Sequence, residues 1–312
     1  MPPRGLGFLR WVLTRRVPAE LLPHGMPGAE ALRAPAIASP HAAPGALSIT
    51  WVGHATVLVQ TGMLNVLTDP IWSARASPVG FAGPKRYVAA AVSLDALPPI
   101  DLVLLSHDHY DHLDADTVRR LASAHPSATW FAPLGVASLL RRLGVAHVME
   151  LGWWEDARVG DALVTCVPAQ HFSGRSLRAL GRTLWCGWTL HAGDHRIYFA
   201  GDTAYHPDFA AIARACGPFT VALLPIGAYA PRRYMRSVHM DPDEAVQAYT
   251  ELAAAFRGAQ PPCMVPIHWG TFRLSDEPLT EPAARLRRAW ERARLPDDRL
   301  WMLAHGETRA IR

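Results

Sequence analysis

The sequence predicts an α/β protein folded as a four-layer αβ/βα sandwich, two sheets face to face with helices outside. Three observations carry this. Strand-like and helix-like patterns alternate through two successive rounds. No linker-like stretch interrupts the chain after Leu47. Four stretches of His and Asp each follow directly on a predicted strand, as residues do when strand ends share one rim.

Residues 1–46 read as an arm and residues 47–312 as the domain proper. In the arm, Leu6, Phe8, Leu9, Trp11, Val12 and Leu13 lie among Arg4, Arg10, Arg15 and Arg16. That segment reads either as an interfacial membrane anchor or as a helix packed on protein. Residues 17–46 are rich in Pro, Ala and His without a sustained period, and predict an extended chain. Apolar runs at 48–52, 56–60 and 65–68, separated by tight turns, predict an antiparallel start to a sheet. His54, in the first turn, reads as supporting a site from behind or as purely structural. Residues 71–99 predict a long irregular loop, a length often tied to function.

Strands are then predicted at 101–106, 129–132 and 148–151. Between them lie a helix capped by Asp114 or Asp116 and a helix over 136–143, which implies parallel strands. Strands at 163–167, 184–191 and 196–200 follow, the last two joined through Gly193-Asp194. The remainder predicts a helix at 207–216, a strand at 221–225 and a loop at 229–238. Asp241-Pro242-Asp243-Glu244 then opens a helix through Phe256, followed by a strand at 263–267, a helix at 281–294 and a strand at 300–303.

Composition narrows the function classes. Lys+Arg is 31 and Asp+Glu 27, a formal net charge of +4, carried almost wholly by arginine. That is too mild for a nucleic-acid-binding surface, and no nucleic-acid partner is expected. Arginine does suit bidentate contacts to phosphate. Cys166, Cys186, Cys216 and Cys263 are widely spaced with no CxxC pair, which fits a reduced, cytoplasmic protein, peripheral on the inner membrane face if the arm anchors it. No apolar run reaches the ~18–20 residues of a spanning helix.

The chemistry concentrates after the strand at 101–106. His107, His109, Asp111 and His112 place four potential metal ligands within six residues. Imidazole nitrogen and carboxylate oxygen suit Zn²⁺, and the lack of cysteine there argues against a thiolate-closed structural site. Packing these groups together uncompensated calls for a cation. His171, Asp202 and His268 follow three other strands. One histidine after a strand is ordinarily no ligand; the joint occurrence in this order is what counts. Five histidines and two aspartates suit two metal ions: His107, His109 and His171 on one, Asp111, His112 and His268 on the other, with Asp202 bridging.

This set, His107-x-His109-x-Asp111-His112 with His171, Asp202 and His268, resembles the metallo-β-lactamase superfamily in its dinuclear hydrolase form. Further stretches resemble the N-acyl-phosphatidylethanolamine-hydrolysing phospholipases D within it. They include Thr50-Trp51-Val52-Gly53-His54-Ala55-Thr56, Gly83-Pro84-Lys85-Arg86, Pro225-Ile226-Gly227-Ala228-Tyr229 and Ile267-His268-Trp269-Gly270-Thr271-Phe272. The resemblance runs from about residue 48 to the C-terminus. It implies a sandwich of metallo-β-lactamase type, two Zn²⁺ per chain, a homodimer, and a membrane-facing groove for acyl chains. The Gly- and Arg-rich segment 172–182 departs from it by offering no clear apolar wall.

The implied reaction is hydrolysis of N-acyl-phosphatidylethanolamine, or a related phospholipid, to phosphatidic acid and an N-acylethanolamine. A hydroxide between the metals, held by Asp111 and Asp202 among the ligands, attacks phosphorus. The resemblance sets His239 at the mouth of the site, where an imidazole near its ordinary pKa of ~6.5 protonates the leaving group. Tyr229, Lys85, Arg86, Arg232 and Arg233, with Arg75, are the candidate contacts to the lipid phosphate. The rival readings are a dinuclear hydrolase of another ester, lactone or phosphodiester, and a non-catalytic protein that keeps the fold.

Overall fold

The computed structural model describes Gly7, Arg10, Trp11 and residues 33–176, 179–255 and 260–311. One sheet runs, in spatial order, β13-β1-β2-β3-β4-β5-β6 and the other β12-β11-β10-β9-β8-β7. The first contains β1 (Leu47–Gly53), β2 (Thr56–Thr61), β3 (Asn65–Thr68), β4 (Leu102–Leu104), β5 (Thr129–Pro133), β6 (His147–Leu151) and β13 (Thr308–Ile311). The second contains β7 (Asp156–Val159), β8 (Ala162–Val167), β9 (Gly187–Ala192), β10 (His195–Phe199), β11 (Val221–Pro225) and β12 (Cys263–Ile267). Helices α1 (Ala115–Ala124) and α2 (Ala137–Arg142) belong to the first half. Helices α3 (Phe209–Cys216), α4 (Arg232–Met235), α5 (Pro242–Ala254) and α6 (Glu281–Arg292) belong to the second.

Three apolar cores separate four layers. Between the sheets, Ile49, Trp51, Val57, Phe131, Val164, Trp188, Ile197, Leu223 and Val265 interdigitate. Outside the first sheet, Val103, Leu105 and Trp130 meet Val118, Leu121 and Leu140 of α1 and α2. Outside the second, Tyr198 and Leu224 meet Phe209, Tyr249, Leu286 and Trp290 of α3, α5 and α6. Each such side chain removed from water contributes roughly 1.5–3 kcal/mol, so register is strongly specified. The expected α/β sandwich is the observed one.

The topology sends the relevant strands the same way. Strand β3 is parallel to β4 and β4 to β5, and β1 lies antiparallel to β2, which is antiparallel to β3. In the other sheet β10, β11 and β12 are parallel, and β8 shares their direction through the intervening antiparallel β9. The C-terminal ends of β1, β3, β4, β8, β10 and β12 therefore gather at one rim. Cross-sheet hydrogen bonds stitch that rim: Cys186 N to Ser106 O (3.0 Å), Trp188 Nε1 to Leu105 O (2.9 Å) and His268 N to His54 O (3.0 Å).

Several expectations need correction. Strand β9 starts at Gly187, three residues later than the apolar run suggests. Residues 300–303 form no strand; a single bridge from Met264 to Leu300 is all the pairing they make, and Trp301 and Leu303 fill the inter-sheet core. The last strand is instead β13, pairing with β1. Strand β7 and the short helix α4, inside the expected 229–238 loop, were not signalled. Phe256, the expected end of α5, lies outside the described residues, as does most of the 4–16 segment. Of that segment, Trp11 donates its indole N–H to Asp276 Oδ2 (2.6 Å) and tilts against Tyr234 at 5.7 Å, so this residue packs on its own domain. Residues 33–46 have no regular structure beyond turns, but Ala38 and Gln60 exchange two hydrogen bonds and His41 reaches Asp101, tying the stretch to the first sheet.

His305 gives the fold a pH dependence. Its ring lies 4.1 Å from that of Trp51 and its Nε2 is 2.9 Å from Thr271 Oγ1. Burial, and secondarily the Arg86 charge, lower its pKa to about 3. The unfolded chain takes up a proton below pH ~6.5 that the folded chain refuses, so the stability this residue supports is present above ~6.5 and drains as pH falls toward 3. At pH 5 the loss is about 2 kcal/mol. A His305→Gln variant keeps a polar partner for Thr271 without titrating. Its unfolding free energy should fall less than the wild type's between pH 7 and 5; parallel curves would remove His305 from this account.

Candidate metal centre

The residues after β4 leave the strand and fold back into a turn in which His112 N and Leu113 N both donate to His109 O. Asp114 then caps α1, also accepting from Ser73 and Thr117. This pins both ends of the His107–Asp114 loop. His171 follows β8, Asp202 follows β10 across Gly201, and His268 follows β12 in a left-handed conformation (φ 62°). The approach is close: a Cβ on Gly227 would stand 2.0 Å from His268 O, so only glycine fits there.

All seven expected ligand residues meet at the rim. His107 Nε2 lies 2.8 Å from His109 Nδ1, which lies 3.2 Å from His171 Nε2. Asp111 Oδ2 lies 3.3 Å from His112 Nε2 and 3.4 Å from His268 Nε2. Asp202 Oδ2 stands between these groups, 3.1 Å from His112 Nε2, 3.1 Å from His268 Nε2 and 3.8 Å from His171 Nε2.

Hydrogen bonds behind the ring fix which nitrogens face inward. Asp69 accepts from Ser106 Oγ and from His112 Nδ1, both at 2.5 Å. With its hydrogen committed to Asp69, Ser106 Oγ accepts from His107 Nδ1 (2.9 Å). His171 Nδ1 donates to Val238 O (2.8 Å). His107, His112 and His171 thus all turn Nε2 toward the centre, the orientation that metal-binding imidazoles take when the other nitrogen is held from outside. His112 Nε2, His268 Nε2 and Asp202 Oδ1 are buried there without an aligned hydrogen-bond partner. Convergent, buried and unsatisfied nitrogen and oxygen atoms fit a divalent cation in each of the clusters His107/His109/His171 and His54/Asp111/His112/His268.

Protons take the cation's part in the bare chain. Burial, reinforced by neighbouring imidazoles, depresses His107 and His171 and brings His109 to about 3, so these are neutral. Burial opposes protonation of His112 and His268 too, but the surrounding carboxylates outweigh it, raising His112 well above its usual value and His268 to about 9. Burial likewise opposes ionisation of Asp111 and Asp202, and the adjacent imidazoles overcome it, holding both well below the usual carboxylate range.

Other expected site residues behave differently. His239 is not at the mouth but buried against the ring, its centroid 4.9 Å from that of His171 and its Nδ1 3.9 Å from Asp202 Oδ2. Burial holds it well below pKa 6.5 despite Asp202, so it is a neutral imidazole at pH 7, not an acid at its ordinary pKa. Tyr229 donates its hydroxyl to Glu281 (2.5 Å) under the Arg285 guanidinium, so its hydrogen is engaged within the fold. Arg232 is spent on Glu244 (2.6 Å) and on His239 O (2.9 Å). Arg86 lies over Phe272 and donates to Ile71 O and Ser73 O. Arg75 donates to Gly80 O and Gly83 O. Lys85 and Arg233 are exposed, Arg233 over Tyr234. The residues that sequence reasoning passed over are Asp69, Ser106 and Arg175. Arg175 packs over Tyr110 at 3.9 Å and donates to Asp108 O and Leu113 O, bracing the ligand loop.

Residues 64–269 match the Beta-lactamase superfamily domain. The chain belongs to the metallo-β-lactamase superfamily. This superfamily of metal-dependent hydrolases includes a Caenorhabditis elegans protein named N-acyl-phosphatidylethanolamine-hydrolyzing phospholipase D 1. It is 41% identical over 252 residues, covering 77% of this chain and 69% of that one. An uncharacterized protein of Mycobacterium tuberculosis is 45% identical over 247 residues, 78% of this chain and 64% of that protein, so the present chain spans less than two thirds of that relative's length. Among solved structures, a metallo hydrolase from the archaeon Ignicoccus hospitalis shares the metallo-β-lactamase fold, with a TM-score of 0.63 at 21% identity over 86% of this chain and 99% of that one.

Proposed function

We propose that the chain is a zinc-dependent phosphodiesterase of phospholipase D type, hydrolysing N-acyl-phosphatidylethanolamine or a related phospholipid. The observation that carries this reading is the joined pair of ligand clusters with Asp202 between them, in a chain 41% identical to a protein named for that reaction. In this reading His107, His109 and His171 hold one Zn²⁺, Asp111, His112 and His268 hold a second, and Asp202 serves both. When bound, such ions supply Lewis acidity and activate water at neutral pH.

The chain's own residues do the rest. Asp69, Ser106 and Val238 O lock the imidazoles in the ligating orientation, so no reorganisation is required during turnover. His239 Nδ1, buried without a partner, is the group we assign to hydrogen-bond a phosphoryl or leaving oxygen, as a neutral donor. Water oxygen adds to phosphorus, the bond from phosphorus to the ethanolamine oxygen breaks, and that oxygen leaves with the proton that the attacking water gives up. A lipid-surface partner and a homodimer belong to the same proposal. Among the described residues no helix is long and apolar enough to cross a membrane.

Zinc-loaded protein incubated with N-acyl-phosphatidylethanolamine vesicles in ¹⁸O-water tests this. Mass spectrometry should find the label in phosphatidic acid and none in the N-acylethanolamine. Diacylglycerol with a phosphorylated N-acylethanolamine would place the cut on the other side of phosphorus, and no turnover with two metals bound would remove the substrate class.

A further inference from the structure

The backbone does not explain His54. It opens the two-residue turn between β1 and β2, with φ at 56° after Gly53 at 140°. A left-handed conformation costs an L residue about 1–2 kcal/mol, and Gly or Asn would take the position more cheaply. The main chain is also clamped on both sides. His54 N donates to Thr271 Oγ1 (2.8 Å), while His54 O accepts from His268 N (3.0 Å) and Trp51 Nε1 (2.9 Å). Strain held this firmly at the edge of a site points to a task for the side chain.

That side chain reaches Asp111. His54 Nε2 lies 3.1 Å from Asp111 Oδ2, and the ring is sandwiched, 4.1 Å from His268 and edge-on to Phe272 at 5.1 Å. Its other ring nitrogen, Nδ1, is buried without a hydrogen-bond partner, so Nε2 is the one that engages Asp111. Thr271 Oγ1, which accepts from its backbone, is itself within 2.9 Å of His305 Nε2, so the anchor continues into the buried floor.

We propose that His54 is a positioning residue for the second metal, its Nε2–H holding Asp111 Oδ2 so that the carboxylate is oriented before a cation arrives. The inference rests on the reading of Asp111, His112 and His268 as the ligands of one ion. Partners of this kind typically change metal affinity by ~10–100-fold.

His54→Phe keeps the ring volume and its contacts but has no N–H; His54→Gln restores a donor. Metal per chain is measured by elemental analysis during titration against a graded zinc chelator. Folding is followed by thermal melting, and the ligand set by the visible absorption of cobalt-loaded protein. Wild type should retain two ions. His54→Phe should hold one ion as wild type does and the other ~10–100-fold more weakly, and His54→Gln should recover most of the difference. At saturating cobalt all three should share one spectrum, because no ligand has changed. Equal affinities in wild type and His54→Phe would overturn the positioning role alone, and a changed cobalt spectrum in His54→Gln would make His54 a ligand instead. Wild type taking up no metal would sink the ligand reading beneath it. Should His54→Phe not fold, His54→Asn is read the same way, since it suits the left-handed turn and its amide stops short of Asp111.

Discussion

Replacing Asp202 by Asn will lower turnover by at least about 10³-fold, while replacing Asp108 by Asn will cost less than about 10-fold. Both are buried acids beside the ring, and only their partners separate them. Asp202 Oδ2 lies within 3.1 Å of two inward nitrogens, both in the cluster that also holds Asp111, and within 3.8 Å of a third in the other cluster. Its other oxygen is buried unsatisfied. Asparagine there removes the charge common to both clusters and offers an N–H where only acceptors fit. Losing one preorganised electrostatic contact in an active site typically costs ~10²–10³ in rate, and this position adjoins both ligand clusters. Asp108 turns the other way: its Oδ1 accepts from Gly174 N at 2.7 Å, a bond that the asparagine carbonyl reproduces. Steady-state rates at saturating zinc decide the matter. Equal losses would mean that the ligand loop faces opposite to the arrangement described.

Stripping the metal with a chelator will abolish hydrolysis and change how stability depends on pH. In the bare chain His268 has a pKa of about 9, because Asp202 and Asp111 outweigh the opposing effect of burial. A histidine whose folded pKa is raised stabilises fully below its unfolded value near 6.5 and loses that contribution as pH rises through the folded value. His112, raised for the same reason, acts in the same direction. The depressed Asp111 and Asp202 contribute above ~3.8 and lose their effect only in stronger acid. Melting temperature of the chelated protein should therefore fall between pH ~6.5 and 9. The zinc-loaded protein should stay nearly level over that interval, since a cation replaces those protons. Identical pH slopes with and without chelator, or activity surviving metal-free, would refute the assignment.

The sequence was most readable where chemistry and burial coincide. Four potential metal ligands in six residues call for a compensating charge, and apolar runs flanked by turns locate strands buried on both faces, such as β11 and β12. Edges were opaque. Strands β7 and β13, Asp-Ala-Arg-Val and Thr-Arg-Ala-Ile, are half exposed and carry charge, so no apolar period marks them. Residues 300–303 misled for the converse reason, being apolar because they plug the core and not because they pair. Some candidate phosphate contacts are engaged within the fold, because composition gives a polar group but not its partner. Arg232 finds Glu244 across a turn, and Tyr229 finds Glu281 from 52 residues away. His54 reads from sequence as supporting a site from behind or as purely structural, and the two could not be told apart, since neither its backbone angle nor Asp111 beside it can be seen in a string of letters.

Asp69 has a consequence of another kind. One carboxylate steadies His112 directly and His107 through Ser106, so a residue from each cluster leans on the same fixed point. The two clusters therefore cannot be adjusted one at a time: a displacement of this single carboxylate turns an imidazole in each.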